Sequence, residues 1–177
     1  MKTGTEPGDA TSTTPSAEVE MQIRGLMIDP QTNMPIVILK DISSDALLPI
    51  WVGIFEANAI AMELDKTATP RPMTHDLMRN LAQGLNAVVK KVVVSELREE
   101  TFYAMIWMEQ EGETVTLDAR PSDAIALALR WDCPIYAART VLENARKAAE
   151  NAPVANSDEI RRWLENLNDD DMGRYKM

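Results

Sequence analysis

The stretch that most restricts the fold is DARPSDAIALALR, residues 118–130. Pro121 suits the first turn of a helix, Ser122 and Asp123 favour its positive end, and AIALAL adds a nearly continuous apolar surface. Such a helix, expected from about Pro121 to Trp131, holds only when that surface is packed. The remainder of the chain has to supply the packing.

Alternation and β-branching mark the strands. Val19, Met21 and Ile23 alternate with Glu20, Gln22 and Arg24, and after Gly25 the apolar parity moves to Leu26 and Ile28, the sign of a bulge at Gly25. Turn chemistry in DPQTN, residues 29–33, followed by PIVIL, predicts a hairpin. LPIWVG, VVKKVVVSEL, VTLDA and CPIYA read as further strands, and FYAMIWM, apolar on both faces, as a central strand covered on both sides. Helices are expected at FEANAIAMELD, at TVLENARKAAE and at HDLMRNLAQGLN. The last has Thr74 as its cap and an apolar stripe of Leu77, Met78, Leu81 and Leu85. Antiparallel strand groups with helices between them predict an α+β class: a mostly antiparallel or mixed β-sheet packed with helices, in one domain.

Composition sets the limits of that domain. Residues 1–18, rich in Thr, Ser, Pro and Gly, are expected to be a disordered tail, and residues 19–145 the folded body. Residues 146–177 are expected to hold a linker, NAPVAN, and a helix capped by Ser157 with Ile160, Trp163, Leu164 and Leu167 on one face, then a polar tail. That apolar face and the small size point to a homodimer. The longest candidate for a buried helix, Ile50 to Leu64, is broken by Glu56 and Asn58 and falls short of the ~20 apolar residues of a membrane span. The N-terminal stretch has no apolar segment of the kind a secretory signal needs, so the cytoplasm is the expected compartment. Cys133 is the single cysteine, cannot form an internal disulfide, and reads as a buried filler.

The net charge is −10, and most of it belongs to the body, where residues 19–145 carry 18 acids and 11 bases. Such a surface binds a phosphate backbone poorly unless it has a local basic patch or metal ions bridging acid to phosphate.

Three constellations carry candidate chemistry. In DARPSDAIALALR the helix needs no function, but Arg120 stands at a strand-to-helix junction where a guanidinium and exposed amides hold anions. Its bland reading is an ion pair with Asp118 or Asp123. RPMTHDLM, residues 71–78, repeats the grammar of arginine, proline, hydroxyl residue and acid, with Arg71, Thr74 and Asp76, and adds His75, the one histidine of the chain. A histidine beside a helix start is more often structural, and Asp76 alone more often stabilises the helix dipole. Glu56 begins an otherwise apolar helix, either serving its positive end or pointing into a cleft as ligand or base. Phosphate loops, GxSxG elbows, HExxH motifs and zinc-like Cys/His spacings are absent from the sequence.

LPIWVGIFEANAIAMEL, RPMTHDLM, FYAMIWM and DARPSDAIALALR, in this order and spacing, closely resemble the bifunctional nuclease domain family. The resemblance spans about Val19 to Leu142, and the ending DDDMGRYKM is similar to the tails of some bacterial members. It implies an α+β domain and, by analogy with plant members, hydrolysis of phosphodiester bonds in both DNA and RNA. Some plant members carry a further C-terminal module of the UvrB–UvrC-interaction type, which residues 146–177 do not resemble. The family pattern falls on Glu56, Arg71, Thr74, His75, Asp76, Asp118, Arg120, Ser122 and Asp123.

Roles for these residues follow from their chemistry. In a metal-assisted nuclease Glu56, Asp76 and Asp123 hold Mg²⁺ or Mn²⁺, and His75 is general base or acid. Arg71 and Arg120 then neutralise the phosphorane, with Ser122 and Thr74 on the substrate. That reading requires the two RP-containing segments to meet in space. The alternative is a noncatalytic homo-oligomeric module that binds an anionic ligand or a protein partner through its arginines. A third reading makes every Arg–Asp pair an internal lock on a helix start.

Overall fold

In a computed structural model, which describes residues 17–151, the chain forms seven strands and four helices. Residues 1–16 of the expected tail (1–18) and residues 152–177 of the expected linker and final helix (146–177) lie outside the described residues. In chain order the elements are β1 (Glu18–Ile28), β2 (Pro35–Asp41), β3 (Leu47–Trp51), α1 (Ile54–Leu64), α2 (Thr74–Gly84), β4 (Ala87–Arg98), β5 (Thr101–Gln110), β6 (Glu113–Ala119), α3 (Pro121–Trp131), β7 (Ile135–Ala138) and α4 (Arg139–Asn151).

All seven strands join one sheet in the order β3-β2-β1-β7-β4-β5-β6. Every pairing is antiparallel except β4 with β7. That parallel pair fixes the place of α3. The chain leaves the edge strand β6 and must return to lie beside β4, and α3 is the crossover, touching β4 and β5 on its way. α1 and α2 both pack on α3, so it is apolar on all sides because all its sides are covered. Ala124, Ile125, Ala126, Leu127 and Ala128 are buried in succession, and the alanines let neighbouring backbones approach closely. Burying Ile125 alone is worth roughly 2–3 kcal/mol, and a charge there would break the crossover.

The first hairpin follows its sequence pattern. The β1–β2 register shifts between Ile23 and Gly25, which lets Val19 and Met21 and then Leu26 meet the core on either side of the bulge. Asp29 closes the turn: its carboxylate accepts from Thr32 Oγ1 (2.6 Å), the Gln31 amide (3.0 Å) and Trp51 Nε1 (3.1 Å). The Thr32 hydrogen bond above all holds its pKa below the usual carboxylate value, against the burial that would raise it.

Two expectations about packing are corrected. β5 is next to the edge strand, not central. Ala104 and Ile106 face the core, while Tyr103 and Trp107 lie partly exposed beneath Arg98 and Lys91, each cation 4.8 Å from the ring centroid. The stripe on α2 does not enter the core either: Leu77, Met78, Leu81 and Leu85 are all exposed, and His75 is the helix's buried residue. Cys133 is partly buried, and that burial pushes its thiol up to about 11. No helix among the described residues is long and apolar enough to cross a membrane.

Candidate functional site

The starts of three helices converge. α1, α2 and α3 each carry an acid at the third helical position, namely Glu56, Asp76 and Asp123, where a carboxylate serves the positive end of the helix dipole. The two RP-containing segments do meet: His75 Nε2 lies 3.0 Å from Asp123 Oδ1. Asp123 Oδ2 accepts from Arg120 Nε at 2.7 Å, and Arg120 Nη1 lies 2.9 Å from Glu56 Oε1. A single file of charge, His75–Asp123–Arg120–Glu56, thus links the first turns of α2, α3 and α1.

Each end of this file has its own character. The Arg120 side chain is 65% exposed, and Nη2 has no hydrogen-bond partner among the described residues. His75 is buried, yet its Nδ1 likewise has no partner among the described residues. Burial would raise the pKa of Asp123, but the hydrogen bonds from Arg120 and then His75 hold it below the usual carboxylate value. The same contact with Asp123 raises Arg120. Asp123 therefore stays ionised and accepts only, so Nε2 of a neutral His75 carries the proton and Nδ1 the lone pair.

Asp76 belongs to a second network. Its Oδ2 accepts from the Met73 amide at 2.9 Å, and its Oδ1 from Arg130 Nε at 2.6 Å. Arg130 is buried and also donates to the carbonyls of Ala126 (2.9 Å) and Ala59 (3.3 Å), so one guanidinium ties α1, α2 and α3 together. Burial raises Asp76, but the Arg130 hydrogen bond and the Met73 amide overcome it and leave the carboxyl below its usual value. Sequence reading passed over Arg130. The available signal was a guanidinium closing an apolar run, two helical turns beyond Asp123, where burial demands an acid partner.

The other expected residues are placed differently. Thr74 is the first residue of α2 rather than its cap; Met73 holds the cap position, and its amide is satisfied by Asp76. Ser122 is buried in the first turn of α3. Arg71 is exposed on the loop before α2, and its guanidinium pairs with no carboxylate among the described residues. Asp118 sits on the edge strand β6, outside the file. The three carboxylates expected to share a cation are already divided between two arginines, and among the described residues no group of three His, Cys, Asp or Glu side chains is set to hold a metal. The donor set does not fit an Mg²⁺ or Mn²⁺ ion shared by Glu56, Asp76 and Asp123. A shallow hollow lined by Lys90, Lys91, Trp107 and Tyr136 shares no residue with the file, and its lysines are paired with Glu109 and Glu18.

Fold and site together define an α+β domain whose helix starts surround a histidine, a carboxylate and an exposed arginine. The sequence pattern of the bifunctional nuclease domain matches residues 37–150, and the chain belongs to that family. An uncharacterised protein of Mycobacterium tuberculosis is 37% identical over 154 residues, covering 84% of this chain and 92% of that one. Bifunctional nuclease 1 of Oryza sativa subsp. indica is 30% identical over 112 residues, and Bifunctional nuclease 2 of Oryza sativa subsp. japonica 26% over 122. These matches cover 62% and 67% of this chain but only 34% and 38% of the rice proteins, so the similarity spans little more than a third of the plant relatives.

Proposed function

We propose that this protein is a nuclease that hydrolyses phosphodiester bonds of DNA and RNA, with His75, Asp123 and Arg120 at its centre and Glu56 as the gate on Arg120. The observation that carries the reading is the His75–Asp123 contact of 3.0 Å across two helix starts, with Arg120 exposed beside it. Asp123 accepts from Nε2 and orients the ring. Nδ1 then takes a proton from water as its oxygen attacks phosphorus, the ester P–O bond breaks, and the departing alkoxide is protonated from solvent. Attack by water rather than by a ribose hydroxyl accounts for action on both DNA and RNA. Arg120 neutralises the charge that builds on the phosphoryl oxygens, an arriving phosphate displacing Glu56 while Asp123 keeps the guanidinium aligned. Phe55, the residue before Glu56 and 85% exposed, offers an aromatic face on which a base can stack. Arg71 supplies a second cation for the strand. Asp76 positions the start of α2.

The test is cleavage of labelled single-stranded DNA, duplex DNA and RNA in Mg²⁺, Mn²⁺ or EDTA. His75→Ala and Arg120→Met are each expected to lower the rate by at least about 100-fold. Unchanged rates in both variants sink this assignment, and the comparison of metals with EDTA decides whether a cation takes part.

The exposure of Arg120, 65% of its side chain, also suits a second reading, a noncatalytic module in which Arg120 binds an anion. It predicts no cleavage under any of these conditions, together with oligonucleotide or polyphosphate binding that Arg120→Met abolishes.

A further inference from the structure

α2 turns its apolar side outward. Leu77, Leu81 and Leu85 are 61%, 63% and 57% exposed, and Met73 and Met78 flank them, also exposed. The first three stand four residues apart and form one ridge along the helix. Together these side chains present on the order of 500 Å² of apolar surface, the upper range for the largest patch on a lone monomer. That is well over half of the ~800 Å² a side that a stable complex buries.

The helix's two charges are kept off this ridge. Asp76 is turned to Arg130, and Arg79 is partly buried, with its Nε fully out of solvent. In a chain of net charge −10, the ridge itself presents no carboxylate that would oppose a second copy.

Gly84 adds an independent point. It lies seven residues after Leu77 and three after Leu81, hence on the same face, and a Cβ placed there would touch nothing within 4 Å. The left-handed residue that ends the helix region is Asn86, not Gly84. Among the described residues, then, nothing requires a glycine at 84, although glycine weakens a helix. A bare helix surface is what a second helix needs for close approach.

We infer that α2 is the interface of a homodimer, in which its ridge packs into the groove beside the same ridge of a second copy. A single ridge with Leu81 at its middle is self-complementary about a two-fold axis, as such a contact requires.

Light scattering after size exclusion on the full chain tests this. Wild type is expected at twice the mass of one chain. Leu77→Glu with Leu81→Glu is expected to raise the dimer Kd by more than about 100-fold while leaving the circular dichroism spectrum native. Gly84→Gln, which has open space to occupy, is expected to raise the melting temperature in dilute solution yet weaken the dimer. Leu117→Lys, on the exposed edge strand β6, is expected to leave the dimer intact. A monomeric wild type overturns the inference, whether or not the glutamate variants then unfold. So does a dimer that survives both α2 variants, or one that only Leu117→Lys disrupts.

Discussion

The buried pair of Arg130 and Asp76 is one whose separation should cost heavily. The Arg130 side chain is 3% exposed, and the partner carboxylate of Asp76, 2.6 Å away, is 23% exposed. Breaking a buried pair by removing one partner costs about 3–5 kcal/mol, because the other charge stays behind uncompensated. The two partners differ in what water can recover. Arg130→Met leaves a carboxylate that is a quarter open to solvent and keeps the Met73 amide, so the loss should be about 2–3 kcal/mol. Asp76→Ala leaves a guanidinium with only the Ala59 and Ala126 carbonyls, inside a helix junction that water does not reach, and should cost about 3–5 kcal/mol. Combining the two should cost less than their sum by at least ~1.5 kcal/mol, since the pair is lost once. Urea unfolding followed by circular dichroism, compared at equal m-value, measures all three. Single variants within ~0.5 kcal/mol of wild type, or a strictly additive double variant, would refute the claim that this guanidinium holds α1, α2 and α3 together.

Acid titration tests the same carboxylates as a set. The folded-state pKa values of Asp76 and Asp123 are both lowered, so the unfolded chain takes up protons first as pH falls. Stability should hold from neutral pH down to the ordinary aspartate value of about 3.9 and fall below it, and Asp76→Asn should flatten that fall. Unfolding free energies that stay level between pH 4 and 2.5 would contradict this. A third perturbation is Gly53→Ala. An added Cβ would collide with the end of the Glu56 side chain, which is flexible and can swing away. Stability should change by less than about 1 kcal/mol, while Glu56 leaves Arg120, and phosphate binding at Arg120 should tighten if Glu56 is its gate. Isothermal titration with inorganic phosphate reads that outcome, and unchanged binding argues against the gate.

What the sequence disclosed about the fold was local. The bulge at Gly25, the DPQTN turn and the span of α3 each depend on residues adjacent in the chain, and all three stand in the structure as read. The position of β5 and the facing of α2 depend on what lies opposite. FYAMIWM is apolar on both faces, but on one of them Lys91 and Arg98 cover the rings with their cations, a solution that alternation does not register. The α2 ridge has the periodicity of a core helix, and periodicity says that a face is apolar without saying what meets it.

The site shows why two segments of like grammar end in different chemistry. In ARPSD, Pro121 is the first residue of α3, so Arg120 is the cap residue and stands three positions before Asp123, within reach of its carboxylate. In RPMTHD, Pro72 precedes the cap, the helix begins two residues later, and Arg71 is left five positions before Asp76. Asp76 must find its cation elsewhere, and finds it in Arg130 from another helix. His75 then fills the gap that this shift opens, at the second position of α2, where its ring reaches Asp123. The two inserted residues, Met73 and Thr74, thereby separate an arginine that remains on the surface from one locked into the file. Removing that spacing should return Arg71 to Asp76 and release Arg130, at the cost of the His75–Asp123 contact on which the catalytic reading rests.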